Sequence, residues 1–246
     1  MKIKPMLMYQ LKGMTRSYFV VMAAVLALTL GSAIMASFTG NIGMLGGMEL
    51  TTIIYLIIAS INCYGEELKL SIQNAASRKT FYISTAICVV ITAFVSGLGD
   101  TVLSVIGNAC ETTENSFNFA SMYEQAYNDN YLNTSPVAMD YVKGFVLRFA
   151  CYAGVLGFGK FVGALYYRLS KSLKIIVTLG VYLLIVATFT IDSLYLSQII
   201  VTKIGNTMMW AQENSFNCAL LGAAAAVIFF AASWIFTRRA RVDDRN

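Results

Sequence analysis

The sequence contains several runs of apolar residues that are long enough to cross a lipid bilayer as helices. A helix needs about 20 predominantly apolar residues to cross about 30 Å of hydrocarbon. Tyr18–Phe38 is the clearest of these runs, with 21 residues and no charged side chain. Charged residues make up 13% of the 246 residues, whereas an average soluble domain has about 25%. These features predict a polytopic membrane protein of the all-α class.

Six membrane-spanning helices are predicted when every such run is counted. The most polar of them, 141–167, carries Lys143, Arg148 and Lys160, and we count it as a span with polar content. The expected spans are 18–38, 46–63, 81–104, 141–167, 173–191 and 216–236.

Two segments outside the spans have their own patterns. Residues 1–16 alternate basic with apolar residues, which favours a helix lying in the membrane surface, although a frayed basic terminus fits as well. The long loop at 108–139 is polar and acidic, and it is too short for an independent domain. We therefore expect short helices on the outer ends of the spans, within a single transmembrane domain over residues 1–246.

The charge distribution indicates an orientation independently of the span count. Six spans put both termini on the same side of the membrane. The segments on that side carry 14 of the 18 basic residues, and the opposite loops carry mainly acids. The 14 residues are Lys2, Lys4, Lys12, Arg16, Lys69, Arg78, Lys79, Arg168, Lys171, Lys174, Arg238, Arg239, Arg241 and Arg245. The positive-inside rule therefore places both termini in the cytoplasm.

The chemistry that the chain can perform is limited by its composition. It contains no histidine, which excludes histidine metal ligands, Ser-His-Asp triads and histidine proton relays. Its five cysteines lie mostly within the predicted spans, so they do not indicate a disulfide framework. We expect no catalytic residue and no metal site.

The string Gly154–Lys160 imitates a nucleotide-binding motif. It matches the first seven positions of a phosphate-binding loop, but Phe161 stands where Ser or Thr would bind magnesium. Such a loop also follows a strand in water, whereas this string lies inside a predicted span. Close helix packing explains the glycines better, with Gly159 and Gly163 on one small-residue face.

The basic residues inside the fourth predicted span invite two interpretations. Counting back from Arg168 at about 1.5 Å per residue puts Lys160 about 12 Å into the hydrocarbon, whereas Arg148 lies near the outer headgroups. Either both cations snorkel to opposite interfaces, or both face a wet groove and meet an anionic or amphipathic substrate. We expect no acidic partner for Lys160 within the membrane, which favours the groove. Arg148, Tyr152 and Lys160 are therefore candidate groove residues, with lipid-facing packing as the alternative for Tyr152.

The segment 62–81 links the second and third predicted spans. Leu68, Ser71 and Ile72 fall at helical spacing, and a basic turn then leads into the next span. This pattern predicts a short amphipathic cytoplasmic helix, with a solvated loop as the alternative.

This segment resembles the corresponding loop of bacterial type-2 ABC transporter permeases. In that family an acidic residue precedes a coupling helix, and a phrase of the form Gly/Ala-x-Ser-Arg-Lys-x-Phe opens the third span. The matching residues are Glu66 or Glu67, followed by Ala75-Ala76-Ser77-Arg78-Lys79-Thr80-Phe81. The chain departs from the family at Ala75 or Ala76, where glycine is frequent. The resemblance covers the layout of the whole chain but only this short stretch in motif.

The resemblance implies the permease subunit of an exporter in the bacterial cytoplasmic membrane. Such a chain is not an enzyme and binds no cofactor itself, because ATP and magnesium bind to a separate ABC ATPase subunit. Two permeases, expected to form a homodimer through the first and fifth spans, would assemble with two ATPases. The other contacts are with membrane lipid, and none is with nucleic acid. The ATPase-coupling residues would be Glu66, Glu67, Ile72, Arg78 and Lys79.

The substrate class also follows only from the resemblance. Small permeases of this kind export amphipathic peptides, toxins or drug-like molecules, and the size and layout are similar to those of phenol-soluble-modulin peptide exporters. The main alternative is a non-transporting membrane protein, such as an immunity or sensor-associated protein. An intramembrane hydrolase or a secondary transporter is disfavoured, because the predicted spans lack histidine and paired carboxylates.

Overall fold

The computed structural model describes residues 3–39, 43–110, 117–128, 136–195 and 199–238. These ranges are mostly helical, as predicted, and contain eight helices and two short strands. The helices are α1 (Ile3–Thr39), α2 (Glu49–Gln73), α3 (Arg78–Ala109), α4 (Met122–Tyr127), α5 (Ala138–Tyr167), α6 (Lys171–Tyr195), α7 (Ile199–Glu213) and α8 (Ser215–Thr237). The strands are β1 (Gly43–Gly46) and β2 (Phe117–Ala120).

Within the described ranges, five helices are long and apolar enough to cross a membrane, which is consistent with a multi-pass membrane protein. These stretches are Ile3–Phe38, Arg78–Ala109, Ala138–Tyr167, Ser172–Asp192 and Ser215–Thr237. They coincide with five of the six predicted spans. The remaining predicted span, 46–63, overlaps the first part of α2. Its apolar run is followed by Asn62, Glu66 and Glu67, and α2 is therefore not among the five.

The N-terminal segment does not form a helix of its own. α1 is one continuous helix of 37 residues. Met6, Gln10, Met14 and Tyr18 are buried at four-residue spacing, so a single face packs against the bundle across the expected break. No proline or glycine pair interrupts the hydrogen bonding near residue 16. The separate interfacial helix predicted for residues 1–16 is therefore not formed by residues 3–16, and residues 1 and 2 lie outside the described ranges.

The predicted coupling segment is likewise continuous with the helix that precedes it. α2 runs to Gln73 without a break, so no separate short helix forms between α2 and α3. Leu68 is buried and Ile72 packs against the same apolar cluster, which continues the packing face of α2 through this segment.

A short turn over residues 74–77 connects α2 to α3. The Ser77 hydroxyl accepts a hydrogen bond from the Thr80 backbone N–H at 3.1 Å and caps α3. Phe81 is buried one turn into α3, with its ring centroid 5.8 Å from that of Tyr64. The Ser-Arg-Lys-Thr-Phe phrase therefore combines a helix cap, two exposed cations and a buried aromatic anchor.

Replacing Ala75 with glycine is expected to stabilise the protein by about 0.5–1 kcal/mol, because a side chain in the left-handed region costs roughly 1–2 kcal/mol. Ala75 has a φ of 52°, whereas the neighbouring Ala76 has no positive φ. The midpoint of thermal unfolding in detergent should rise for Ala75→Gly. The control Ala76→Gly should lower the midpoint or leave it unchanged, and a common response of both variants would contradict the assignment of strain to Ala75.

α5 lies at the centre of the bundle and makes its most extensive contact with α8. A Cβ atom added at Gly154 would lie 2.8 Å from the carbonyl oxygen of Gly222. One added at Gly222 would lie 2.8 Å from the carbonyl carbon and oxygen of Ala150. Glycine is therefore required on both sides of this interface, where the two backbones are in contact.

The predicted small-residue face of α5 is confirmed, and it packs against α2. A Cβ atom at Gly159 would overlap the Ser60 hydroxyl, and one at Gly163 would lie 2.8 Å from the Cβ atom of Tyr64. The string Gly154–Lys160 is a continuous part of α5, so its backbone N–H groups bond within the helix and form no phosphate-binding loop.

The segment 108–139, predicted to be an outer loop, contains a short helix, as expected, and also a strand. β1 and β2 pair in parallel, and α4 follows β2. The Ser121 hydroxyl accepts from the Glu124 N–H at 3.3 Å, and the Glu124 carboxylate accepts from the Ser121 N–H at 2.7 Å. This reciprocal cap explains where α4 begins. The parts of the predicted loop at 111–116 and 129–135 lie outside the described residues.

Candidate functional site

Lys160, on α5, is buried among four helices and forms an ion pair with Glu67 of α2. Their Nζ and Oε2 atoms are 2.8 Å apart, and the side chains are 1% and 4% exposed. The Nε2 atom of Gln10, on α1, donates to Glu67 Oε2 at 3.0 Å and to the Thr85 hydroxyl of α3 at 2.9 Å. These four residues, which we call the Glu67 network, join α1, α2, α3 and α5.

A second buried ion pair joins α2 and α5 near the other end of α2. Arg148 Nη2 lies 2.9 Å from Glu49 Oε1. The same guanidinium donates to the Thr101 hydroxyl at 3.1 Å and to the Ser104 hydroxyl at 2.8 Å, both on α3. We call these four residues the Glu49 network.

A buried carboxylate lies one helical turn from the Glu49 network. Asp100 of α3 is 2% exposed. It accepts a hydrogen bond from the Tyr152 hydroxyl of α5, and another from the Thr52 hydroxyl of α2 at 3.1 Å. Because buried polar groups need partners, this contact fixes the same three helices relative to one another.

The two ion pairs fix α2 against α5 at two separate levels. Glu49 and Glu67 are 18 positions apart, which corresponds to about 27 Å along a helix. Removing one partner of a buried pair typically costs about 3–5 kcal/mol, because the other charge is left unpaired. Separating α2 from α5 at either level therefore requires charges to find new partners.

The structure changes the interpretation of the three candidate groove residues. Lys160 and Arg148 neither snorkel nor face an open groove, since both are buried in ion pairs. The expectation that Lys160 lacks an acidic partner is wrong, because Glu67 reaches it from α2. Tyr152 is also buried and bonds to Asp100. All three residues lie in the interior of the bundle.

The predicted coupling residues fall into two groups. Arg78 and Lys79 are exposed at the start of α3, and Glu66 is exposed on α2. Ile72 is half-buried against an apolar cluster. Glu67, by contrast, is 3% exposed, so its side chain is not on the surface that the prediction assigned to it.

Glu66 lines two cavities, and the first of them is also lined by Gln10 and Glu67 of the Glu67 network. The first, of about 380 Å³, lies between α1 and α2 and is lined on the α1 side by Tyr9, Lys12 and Arg16. The second, of about 500 Å³, lies between the ends of α2, α5 and α6.

The sequence interpretation missed the acidic and amide partners of the buried cations. The sequence interpretation assigned no role to Glu49 or Asp100, yet both are buried. One signal was present: the apolar run that continues past Asp100 to Ile106 places this acid inside α3. Gln10 carried no signal, because its role depends on α1 packing against α2 and α3.

Comparison of the chain with protein-family models, curated proteins and solved structures finds no match.

Proposed function

We propose that the chain is the permease subunit of a bacterial type-2 ABC exporter, driven by an ATPase on a separate chain. The observation that carries the proposal is the exposed basic turn between α2 and α3. Arg78 and Lys79 extend from this turn into solvent, and neither has an ion-pair partner among the described residues. An exposed, positively charged turn at the end of two long helices is suited to transmit the movement of a docked subunit.

Three basic segments of the chain meet at this end of the bundle. Met6 of α1 belongs to one apolar cluster with Phe81 of α3, and Phe236 of α8 packs against that cluster. Arg78 Nη1 donates to the carbonyl oxygen of Arg238 at 2.7 Å. This arrangement supports a cytoplasmic position for both termini and the turn together, in accordance with the positive-inside rule.

We assign α2 as a membrane-spanning helix in addition to the five long apolar helices, which makes six spans. The stretch from Glu49 to Glu67 is about 27 Å long, close to the thickness of the hydrocarbon. Both acids are neutralised by cations of α5, so α2 can cross the membrane inside the bundle without being apolar on every face. Six spans place the N-terminal end of α1 and the C-terminal end of α8 on one side of the membrane. The clustering of basic residues at these two ends also indicates this.

A homodimer of permeases is supported by the surface of α6. Its large apolar side chains point in every direction and stay exposed, as they do at Ile176, Leu179, Leu183 and Leu184. By its resemblance to the family, this predicted fifth span would meet a second copy of the chain together with α1. The assembly would then contain two permeases and two ATPases in the cytoplasmic membrane.

The first cavity fits the expected substrate class. Lys12 and Arg16 on one wall and Glu66 on the other provide both signs of charge, and Tyr9 adds an aromatic surface. An amphipathic peptide with charged and apolar side chains would find partners for both. We propose export of such a peptide, or of a toxin or drug-like molecule of similar character.

Charge reversal at Lys79 is expected to abolish stimulation of the partner ATPase by substrate. Lys79 is exposed and has no ion-pair partner within the described ranges, so Lys79→Glu should fold and insert normally while repelling an acidic docking surface. The measurement is ATP hydrolysis by the purified complex of this chain with its co-expressed ATPase, in the presence and absence of substrate. Lys4→Glu, an equally exposed charge reversal on α1, is the matched control and should keep stimulation.

Two results would contradict the proposal. One is full stimulation in the Lys79→Glu complex, which would remove this turn from coupling. The other is the absence of any ATPase that co-purifies stoichiometrically with the chain and hydrolyses ATP, which would favour the non-transporting immunity or sensor-associated protein.

A further inference from the structure

The second cavity is lined by polar residues of which only Glu66 also has a role in the proposed transport function. It has a volume of about 500 Å³ and lies where α2, α5 and α6 approach one another. Its polar wall is formed by Asn62, Glu66, Lys69, Tyr166, Tyr167 and Lys174. The site is therefore built from three helices rather than from one.

The cavity lies where the predicted span 141–167 ends and the predicted span 173–191 begins, which is the level expected for a membrane surface. Tyr167 is the last residue of α5, and Lys174 is in the first turn of α6. Tyrosine and lysine concentrate at this level in membrane proteins, where ring and ammonium groups meet the lipid headgroups. A lipid can enter such a cavity sideways from its own leaflet.

The charges of the cavity favour an anion that also has hydrogen-bond donors. Lys69 and Lys174 approach it from different helices, and neither ammonium has an ion-pair partner within the described part of the chain. Together with Glu66, the two lysines give the cavity a net charge of one positive unit. The Glu66 carboxylate provides an acceptor for a hydrogen bond. Basic pockets between membrane helices on the cytoplasmic side bind anionic headgroups in this way.

α6 is only loosely attached to the rest of the bundle, so a ligand bound in this cavity would stabilise its position. The described part of α6 has its main packing contact with α7, and one hydrogen bond of 2.7 Å, between Tyr166 and Thr178, links it to α5 beside the cavity. A ligand that bridges Lys69 and Lys174 would join α2 to α6 across this cavity.

We propose that this cavity binds one anionic phospholipid, with its phosphate between Lys69 and Lys174 and a headgroup hydroxyl donating to Glu66. Phosphatidylglycerol combines these two features and is the probe of choice. The proposal depends on the helices spanning a membrane, but it depends neither on the partner ATPase nor on transport.

Native mass spectrometry of the full chain in neutral detergent tests the proposal by counting retained lipids. One phosphatidylglycerol per chain should remain bound under conditions that strip phosphatidylcholine. The double variant Lys69→Gln/Lys174→Gln should weaken retention at least about tenfold, since both charge-assisted hydrogen bonds to the phosphate are lost. The matched control Lys143→Gln/Lys203→Gln removes two lysines elsewhere and should retain the lipid.

Three results would overturn the proposal. Equal retention of phosphatidylcholine would show that the cavity does not select an anion. An undiminished signal in the Lys69→Gln/Lys174→Gln variant would place the lipid elsewhere. Displacement of the lipid by inorganic phosphate at millimolar concentration would show a site for free phosphate instead. None of these readouts involves ATP hydrolysis, so a failure here is distinguishable from a failure of the exporter assignment.

Discussion

Replacing Lys160 with methionine is expected to destabilise the protein by about 3–5 kcal/mol, because it leaves the buried Glu67 carboxylate without its cation. Methionine has similar length and fills the same space in α5, so the loss reports the missing charge and not a cavity. The measurement is the midpoint of thermal unfolding of the detergent-purified chain. A lysine that snorkelled to the membrane surface would give almost no change.

The control for this variant lies on the same helix. Lys143 is only half-buried and has no ion-pair partner among the described residues, so Lys143→Met should shift stability by less than about 0.5 kcal/mol. The double variant Lys160→Met/Glu67→Gln should recover most of the loss, since glutamine still accepts from Gln10 without a charge. If Lys160→Met is as stable as Lys143→Met, the ion pair does not form in the purified protein.

The same pair shows what could be predicted from the sequence and what could not. The long helices follow from run length and composition alone, since the cost of exposing a backbone to lipid leaves few alternatives to a helix. The face at Gly159 and Gly163 was also readable, because small residues four positions apart let helices approach closely. Both are local properties of one segment.

The ion pairs between helices could not be predicted in this way. Lys160 and Glu67 are separated by 93 positions in the chain, and nothing local to either residue identifies its partner. Counted segment by segment, Lys160 lacks an acid, and α2 is less apolar over its full length than the five other long helices among the described residues. These two anomalies have one cause, since the charges of α2 and α5 neutralise each other once the helices pack. The predicted break in α1 near residue 16 was a different kind of error. It was avoidable, because the absence of a helix breaker is visible in the sequence.

Replacing Gly222 with alanine is expected to destabilise the contact between α5 and α8 by about 1–3 kcal/mol. The new Cβ atom would lie 2.8 Å from the Ala150 carbonyl carbon and oxygen and 2.9 Å from the Cys151 nitrogen. These are backbone atoms of a helix that is also fixed against α2 and α3, so they cannot rotate away as a side chain can. The two helices must move apart, and the midpoint of thermal unfolding should fall.

The matched control for Gly222→Ala is Gly205→Ala on α7. A Cβ atom at Gly205 meets nothing within 4 Å, so alanine there should leave stability unchanged or raise it by up to about 1 kcal/mol through its higher helix propensity. The two variants make the same chemical change in a helix interior, and their difference isolates the backbone contact. If both variants raise the midpoint, α8 does not pack against α5 through Gly222, and the central helix has another neighbour in the membrane.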